Sequence, residues 1–339
     1  MAKLEVPEKW IAGRPDDQVS DVAKCSLQNR LSAVAQLLPL AAKRAEKDPE
    51  YIHQLRVWTR RASAAMSLFE YLMPRRRFKW MKKQLKRVRR AANDARDCDV
   101  LIERLSKEFA GRGQKRWLKE LRVERVKTQK AVVEVYQWLK QDGRFERKIE
   151  KLLQQVKMRN TDTCAALPPF GDWARERLRG QVTRFFEAVP SDSADEAALH
   201  ELRIRSKHLR YTMELVAGAF PEELKNRIYP TILAIQDQAG EINDLLVAKT
   251  RLREKLEVAS DASEAKSWRQ MLDDKQAQSE ELRYTFLQSC NSQILQELRR
   301  GFEAMLGKVC ESHETSNGVA SKKHPSATQA ASSRKCARQ

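Results

Sequence analysis

Apolar residues recur along this chain at three- and four-residue spacing over long stretches, the pattern of amphipathic helices. Leu27, Leu31, Val34 and Leu38 mark one stripe, Leu55, Ala62, Met66 and Phe69 a second, and Trp80, Met81, Leu85 and Val88 a third. Breaks at KDPE, MPRRR and GRG divide the first half into helices over roughly 20–47, 50–72, 76–109 and 114–158. The second half reads as helices over about 172–188, 195–218, 222–258 and 262–306. Four antiparallel helices with short connections pack as a bundle. The expected fold class is therefore all-α, two four-helix bundles joined near TDTCAALPPFGD, with almost no sheet.

The two halves share more than a pattern. His53 and His200 lie 147 residues apart, and the same offset pairs Leu55 with Leu202, Arg56 with Arg203, Val57 with Ile204 and Arg60 with Lys207. It also pairs Met66 with Met213, Pro74 with Pro221, Asp97 with Asp244 and Arg104 with Arg251. One ungapped register from about residue 27 to 105 identifies an internal duplication. The expected organisation is an N-terminal extension over 1–14, a first bundle over about 15–160, a second over about 170–307, and a tail over 308–339. That tail is basic, polar and low in complexity, and is expected to be disordered.

Charge sharpens the picture. The chain of 339 residues carries a formal net charge of +19. Residues 1–165 hold 39 Lys and Arg against 21 Asp and Glu, whereas residues 166–307 hold 20 against 23, so the positive field belongs to the first half. A field of that size concentrates polyanions. The six cysteines form no CxxC pair and no metal-ligand spacing, which with no 18-residue apolar run and a charged N-terminus suggests a soluble protein of a reducing cytoplasm. Asp94, Asp97 and Asp99 do not share one helical face, so no metal site and no cofactor are expected.

At 100° per residue His53, Arg56 and Arg60 fall within about 60° of one another, opposite the apolar residues. His200, Arg203, Lys207 and Arg210 repeat the stripe. A solvated helix face is the plain reading of either stripe alone, but a free surface has no physical reason to keep the same stripe twice. RRRFKWMKKQLKRVRR holds ten basic residues and no acid over 75–90, and Lys79, Lys83, Lys86 and Arg90 form another straight stripe. Such like charges destabilise a helix by a few tenths of a kcal/mol per pair, a cost an acidic partner offsets. A nuclear-localisation-like or general nucleic-acid cluster is the competing reading. An antiparallel hairpin would set His53 beside Asp97, so Asp97, and by the repeat Asp244, is read as orienting the histidine and arginine, or as an ordinary interhelical ion pair. Arg30 and Arg177 edge their apolar stripes, either lining the same groove or snorkelling along helix flanks.

The motif H-x-L-R-[VI]-x-x-[RK] in both halves, HLRY at 208–211, the proline after the second helix, RDCDVL at 96–101 and INDLLVA at 242–248 resemble the CHAD (conserved histidine α-helical domain) family over about residues 15–307. The resemblance implies two bundles related by a pseudo-twofold axis and inorganic polyphosphate bound in a central basic groove. It carries over to His53, Arg56, Arg60, His200, Arg203, Lys207 and Arg210. Two departures are Ser63, where the second copy has Arg210, and the weakly negative second half. The acidic ExExK strand of the phosphohydrolase domain fused to many relatives is absent, so a non-catalytic role is implied, with recruitment to polyphosphate granules as an extension of it. Few aromatics lie among the charges, unlike the stacking platforms of single-stranded nucleic-acid binders. Weak nucleic-acid binding stays open as the alternative, as does the oligomeric state. Histidines add charge only when protonated, so affinity is expected to rise as pH falls through about 6.5.

Overall fold

The computed structural model describes residues 7–107, 112–156, 168–190, 195–259 and 261–307. The leucine stripe of α1 (Val19–Arg44) is buried along its length. α2 (Glu50–Leu68) turns through a 3-10 segment, Glu70–Leu72, into α3 (Arg75–Lys107), and the two run antiparallel. α4 (Arg112–Lys140) and α5 (Arg144–Leu153) follow. α1 packs on α2, α4 and α5, and α3 packs on α2, α4 and α5.

The second half repeats this order with α6 (Phe170–Glu187), α7 (Glu196–Val216), α8 (Tyr229–Glu257), α9 (Ala262–Ser289) and α10 (Ser292–Leu306). α7 packs on α6 and α8, α8 on α9, and α10 on α6. Moving α2 along the chain by the 147-residue offset gives 197–215, against Glu196–Val216 for α7. The described residues contain no strand, in agreement with the all-α expectation.

Each expected fourth helix is in fact two. In the first half Asp142 and Gly143 take left-handed backbone conformations, φ 53° and 59°, which end a helix. In the second, Cys290 leaves helical geometry, and Asn291 caps α10 by accepting from the Ile294 N–H at 3.0 Å. The helix expected from 222 begins as a π turn, Leu224–Ile228, before α8. The tail over 308–339 and residues 157–167 of the joining stretch lie outside the described residues.

One apolar core runs through both halves. A smaller one gathers Leu105, Trp117 and Leu121 with Leu252 and Trp268, the two indoles edge-to-face at 5.6 Å. The halves thus meet at α2–α7 and again at this distal cluster. Of the segment read as an extension, the described residues from 7 onward are packed: Ile11 is buried, its N–H donates to the Glu214 carbonyl (3.3 Å), and Trp10 sets its edge on Tyr229. Gly218 permits this passage, since a Cβ there would lie 2.3 Å from the Gly13 carbonyl oxygen. No described helix is long and apolar enough to cross a membrane.

Candidate functional site

Between those two junctions lies a cleft of about 450 Å³ walled by α2, α3, α7 and α8. Its lining contains six pairs separated by 147 residues: Arg56 with Arg203, Arg96 with Asn243, Asp97 with Asp244, Val100 with Val247, Leu101 with Ala248, and Arg104 with Arg251. His53, Val57 and Arg60 complete the lining. Six arginines therefore face two aspartates, and no Phe, Tyr or Trp is among the described lining residues. The helices supply this because each buries its apolar stripe in the core and leaves the repeated polar positions toward the opposite half.

The charge is incompletely compensated. Asp97 accepts from Arg56 at 3.3 Å within the first half, whereas Asp244 accepts from Arg104 across the halves at 3.2 Å. Arg203 Nε is buried without a hydrogen-bond partner. Behind the lining, burial together with Arg203, Arg60 and Arg56 pushes the Lys207 ammonium down to about 7, against the pull of Asp244. Burial lowers His53 as well, opposed by Glu50 and assisted by Arg96, Arg56 and Arg60. Its protonation window thus lies below the 6.5 expected from sequence, and Lys207 is the group that titrates near neutrality.

Several sequence expectations change. Asp97 holds Arg56 rather than His53, because side chains lean toward their helix N-terminus; in an antiparallel pair this carries Asp97 toward the C-terminal end of α2 and His53 away from it. His200 is exposed and meets Asn243 Oδ1 through Nδ1 at 3.1 Å, at the rim. Arg30 is only 1% exposed; its guanidinium donates to the Lys9 carbonyl (3.1 Å) and lies 3.9 Å from the buried Glu214 carboxylate, so it cannot reach the cleft. Arg177 is exposed away from the cleft, stacked over Tyr71 and Trp173. Arg210 donates to Gln236 (2.9 Å) and Tyr229 (3.1 Å) and approaches Glu214 (3.7 Å). Lys79, Lys83, Lys86 and Arg90 are exposed on α3, outside the cleft and without ion pairs.

Sequence reasoning missed Arg96, Asn243 and Arg251 as lining, although the repeat extended through those positions. It also missed the buried cluster in which Glu214 accepts from Arg61 at 2.8 Å and from the Tyr229 hydroxyl at 2.8 Å. Its one signal was an acid set among the apolar residues Met213, Leu215 and Val216.

The sequence pattern of the CHAD domain matches residues 26–253, spanning both walls of the cleft. The chain belongs to the CHAD family. Two solved structures share the fold. The CHAD domain from the plant Ricinus communis is 21% identical, with a TM-score of 0.59 over 89% of this chain and 97% of its own. PptA from Streptomyces chartreusis is 16% identical, with a TM-score of 0.61 over 80% of this chain and 99% of its own. No curated protein matches the chain.

Proposed function

We propose that this CHAD protein binds inorganic polyphosphate, without turning it over, in the cleft between its halves. The observation that carries the reading is the paired lining: equivalent arginines from two sides face one space, which suits a ligand of repeated, identical anionic groups. Arginine offers bidentate contacts to phosphate oxygens, and a described lining without Phe, Tyr or Trp lacks the large stacking platforms usual for nucleobases. Both lining carboxylates are engaged by arginines, which disfavours them as general bases. The family is associated with polyphosphate binding. The binding set on this reading is His53, Arg56, Arg60, Arg96, Arg203 and Lys207, with His200 at the rim. The halves are read as copies about a pseudo-twofold axis, and the site of action as cytoplasmic polyphosphate granules.

The test is a titration of the purified protein with long-chain polyphosphate, single-stranded DNA and RNA at matched charge and several salt concentrations. Polyphosphate should bind most tightly, with a steep salt dependence. Charge-assisted hydrogen bonds contribute roughly 1.5–3 kcal/mol each, so Arg56→Ala/Arg60→Ala should weaken it at least about 100-fold. Equal affinity for all three polymers, or an unaffected double variant, would refute the reading.

A further inference from the structure

We infer that the protein has a second anion site at the junction of α3 and α5, and that a long polyphosphate chain reaches it from the cleft along the exposed face of α3. The inference rests on the polyphosphate reading and extends it to the length of polymer recognised.

The junction encloses a cavity of about 530 Å³, no smaller than the central cleft. Arg76, Arg77, Lys148 and Lys151 line it, and no carboxylate is among its described lining residues. Arg77 donates to the neutral Gln155 amide oxygen at 2.6 Å; Arg76, Lys148 and Lys151 have no ion pair among the described residues. Four cations converging without a counter-charge repel one another, a cost that a bound anion removes. The floor is Trp80, held against Trp138 with 6.3 Å between ring centroids and carrying Lys148 over its face.

Nothing in the helical framework demands this opening. The corresponding junction of the second half, between the start of α8 and α10, is closed by Leu224, Ile228, Leu298 and Phe302, all buried. Gly301 approaches so closely that a Cβ would lie 3.1 Å from Ile228 Cδ1. The first half has an open basic cavity where the second has apolar core, with its nearby cation, Arg227, paired to Glu223.

The two sites are connected. From Arg77 to Arg96 is 19 residues of α3, about 28 Å at the helical rise. Lys79, Lys83, Lys86 and Arg90 occupy positions 79–90 of that interval at one-turn steps, exposed and, among the described residues, without ion pairs, which leaves about 9 Å from Arg90 to Arg96. The 147-residue offset places Asn226 of the π turn and Pro230, Leu233 and Asp237 of α8 at those positions, with no cation among them. The path is thus one-sided.

A probe too short to span the two sites, and drawn first to the six arginines of the cleft, separates them. Tripolyphosphate and long-chain polyphosphate are titrated into the full chain and into Lys148→Ser/Lys151→Ser, whose altered side chains are exposed. The variant should lose about ten-fold affinity for the long chain and none for tripolyphosphate, whose unchanged binding also reports an intact cleft. No loss for either probe, or equal loss for both, overturns the inference. So does a loss confined to single-stranded DNA, which would make the Trp80 cavity a nucleic-acid site. Failure of the wild-type protein to bind either phosphate probe would instead sink the underlying reading.

Discussion

At one level of the bundle the two halves solve the same problem differently. The first places Ser63, Ser67 and Lys82 where the second places Arg210, Glu214 and Tyr229. Lys82 donates to the Ser67 hydroxyl at 2.6 Å and the Ser63 carbonyl at 3.3 Å, both uncharged, so its charge stays available. Arg210, its counterpart in charge though on the other helix of the pair, is committed to the cluster around the fully buried Glu214. A cation that continues a basic stripe is therefore not always free for a ligand. The first half leaves its cation without a carboxylate, while the second uses the same level to tie α1, α2, α7 and α8 together.

The sharpest break in that comparison is at the carboxylate. Glu214→Ala leaves Arg61, Arg30 and Arg210 facing a buried site without their partner, and should cost about 3–5 kcal/mol in denaturant unfolding. Ser67→Ala, at the equivalent position, should stay within about 0.5 kcal/mol. Equal effects would mean that Glu214 is no more structural than its counterpart.

That asymmetry marks what the sequence could convey. The all-helical class and the helix order were legible because both rest on local spacing. Arg30 was not: its burial depends on Glu214, 184 residues along the chain, and no periodicity announces such a partner. Arg210 fitted its stripe perfectly well, yet Tyr229, Gln236 and Glu214 claim it. The break in the long fourth helix did have a signal, the Asp-Gly pair at 142–143, which favours left-handed backbone.

The second contrast lies between Arg60 and Lys207, one fixed charge and one titrating near neutrality. A phosphate bound in the cleft would raise the Lys207 pKa from about 7, so binding would take up a proton above that pH and affinity should fall as pH rises. Lys207→Met should therefore cost about ten-fold at pH 6 and less at pH 8, where the wild type must first protonate the lysine. Arg60→Met should cost as much at both. Titrations at the two pH values would show parallel losses if Lys207 were an ordinary surface lysine.

The same lysine opposes folding in the absence of ligand. Its pKa falls from 10.5 in the unfolded chain to about 7 in the folded one, so between those values the unfolded state binds more protons and stability rises with pH. Below pH 7 both states are protonated and the full penalty applies. Lys207→Met should raise stability at pH 6 by about 1 kcal/mol, allowing for solvent screening, and flatten the rise between pH 7 and 10. A thermal-melt series across that range checks it; an unaltered slope would remove Lys207 as its origin.

The smallest contrast is between the two aspartates, one holding an arginine of its own half and the other reaching across. Both pairs are partly exposed, and such pairs contribute about 0–1 kcal/mol. Charge and orientation also act in opposite directions here: removing a carboxylate makes the cleft more attractive to phosphate, while losing the acceptor frees Arg56 or Arg104 to wander. Asp97→Asn removes the charge and keeps an acceptor, whereas Asp97→Ala removes both. If Asp97 orients Arg56, the alanine variant should bind polyphosphate about three-fold more weakly than the asparagine variant. The same comparison at Asp244 reads Arg104, and there loss of orientation should also loosen the contact between the halves. Indistinguishable affinities within each pair of variants would reduce both aspartates to passive counter-charges, leaving the cleft to be set by its cations alone.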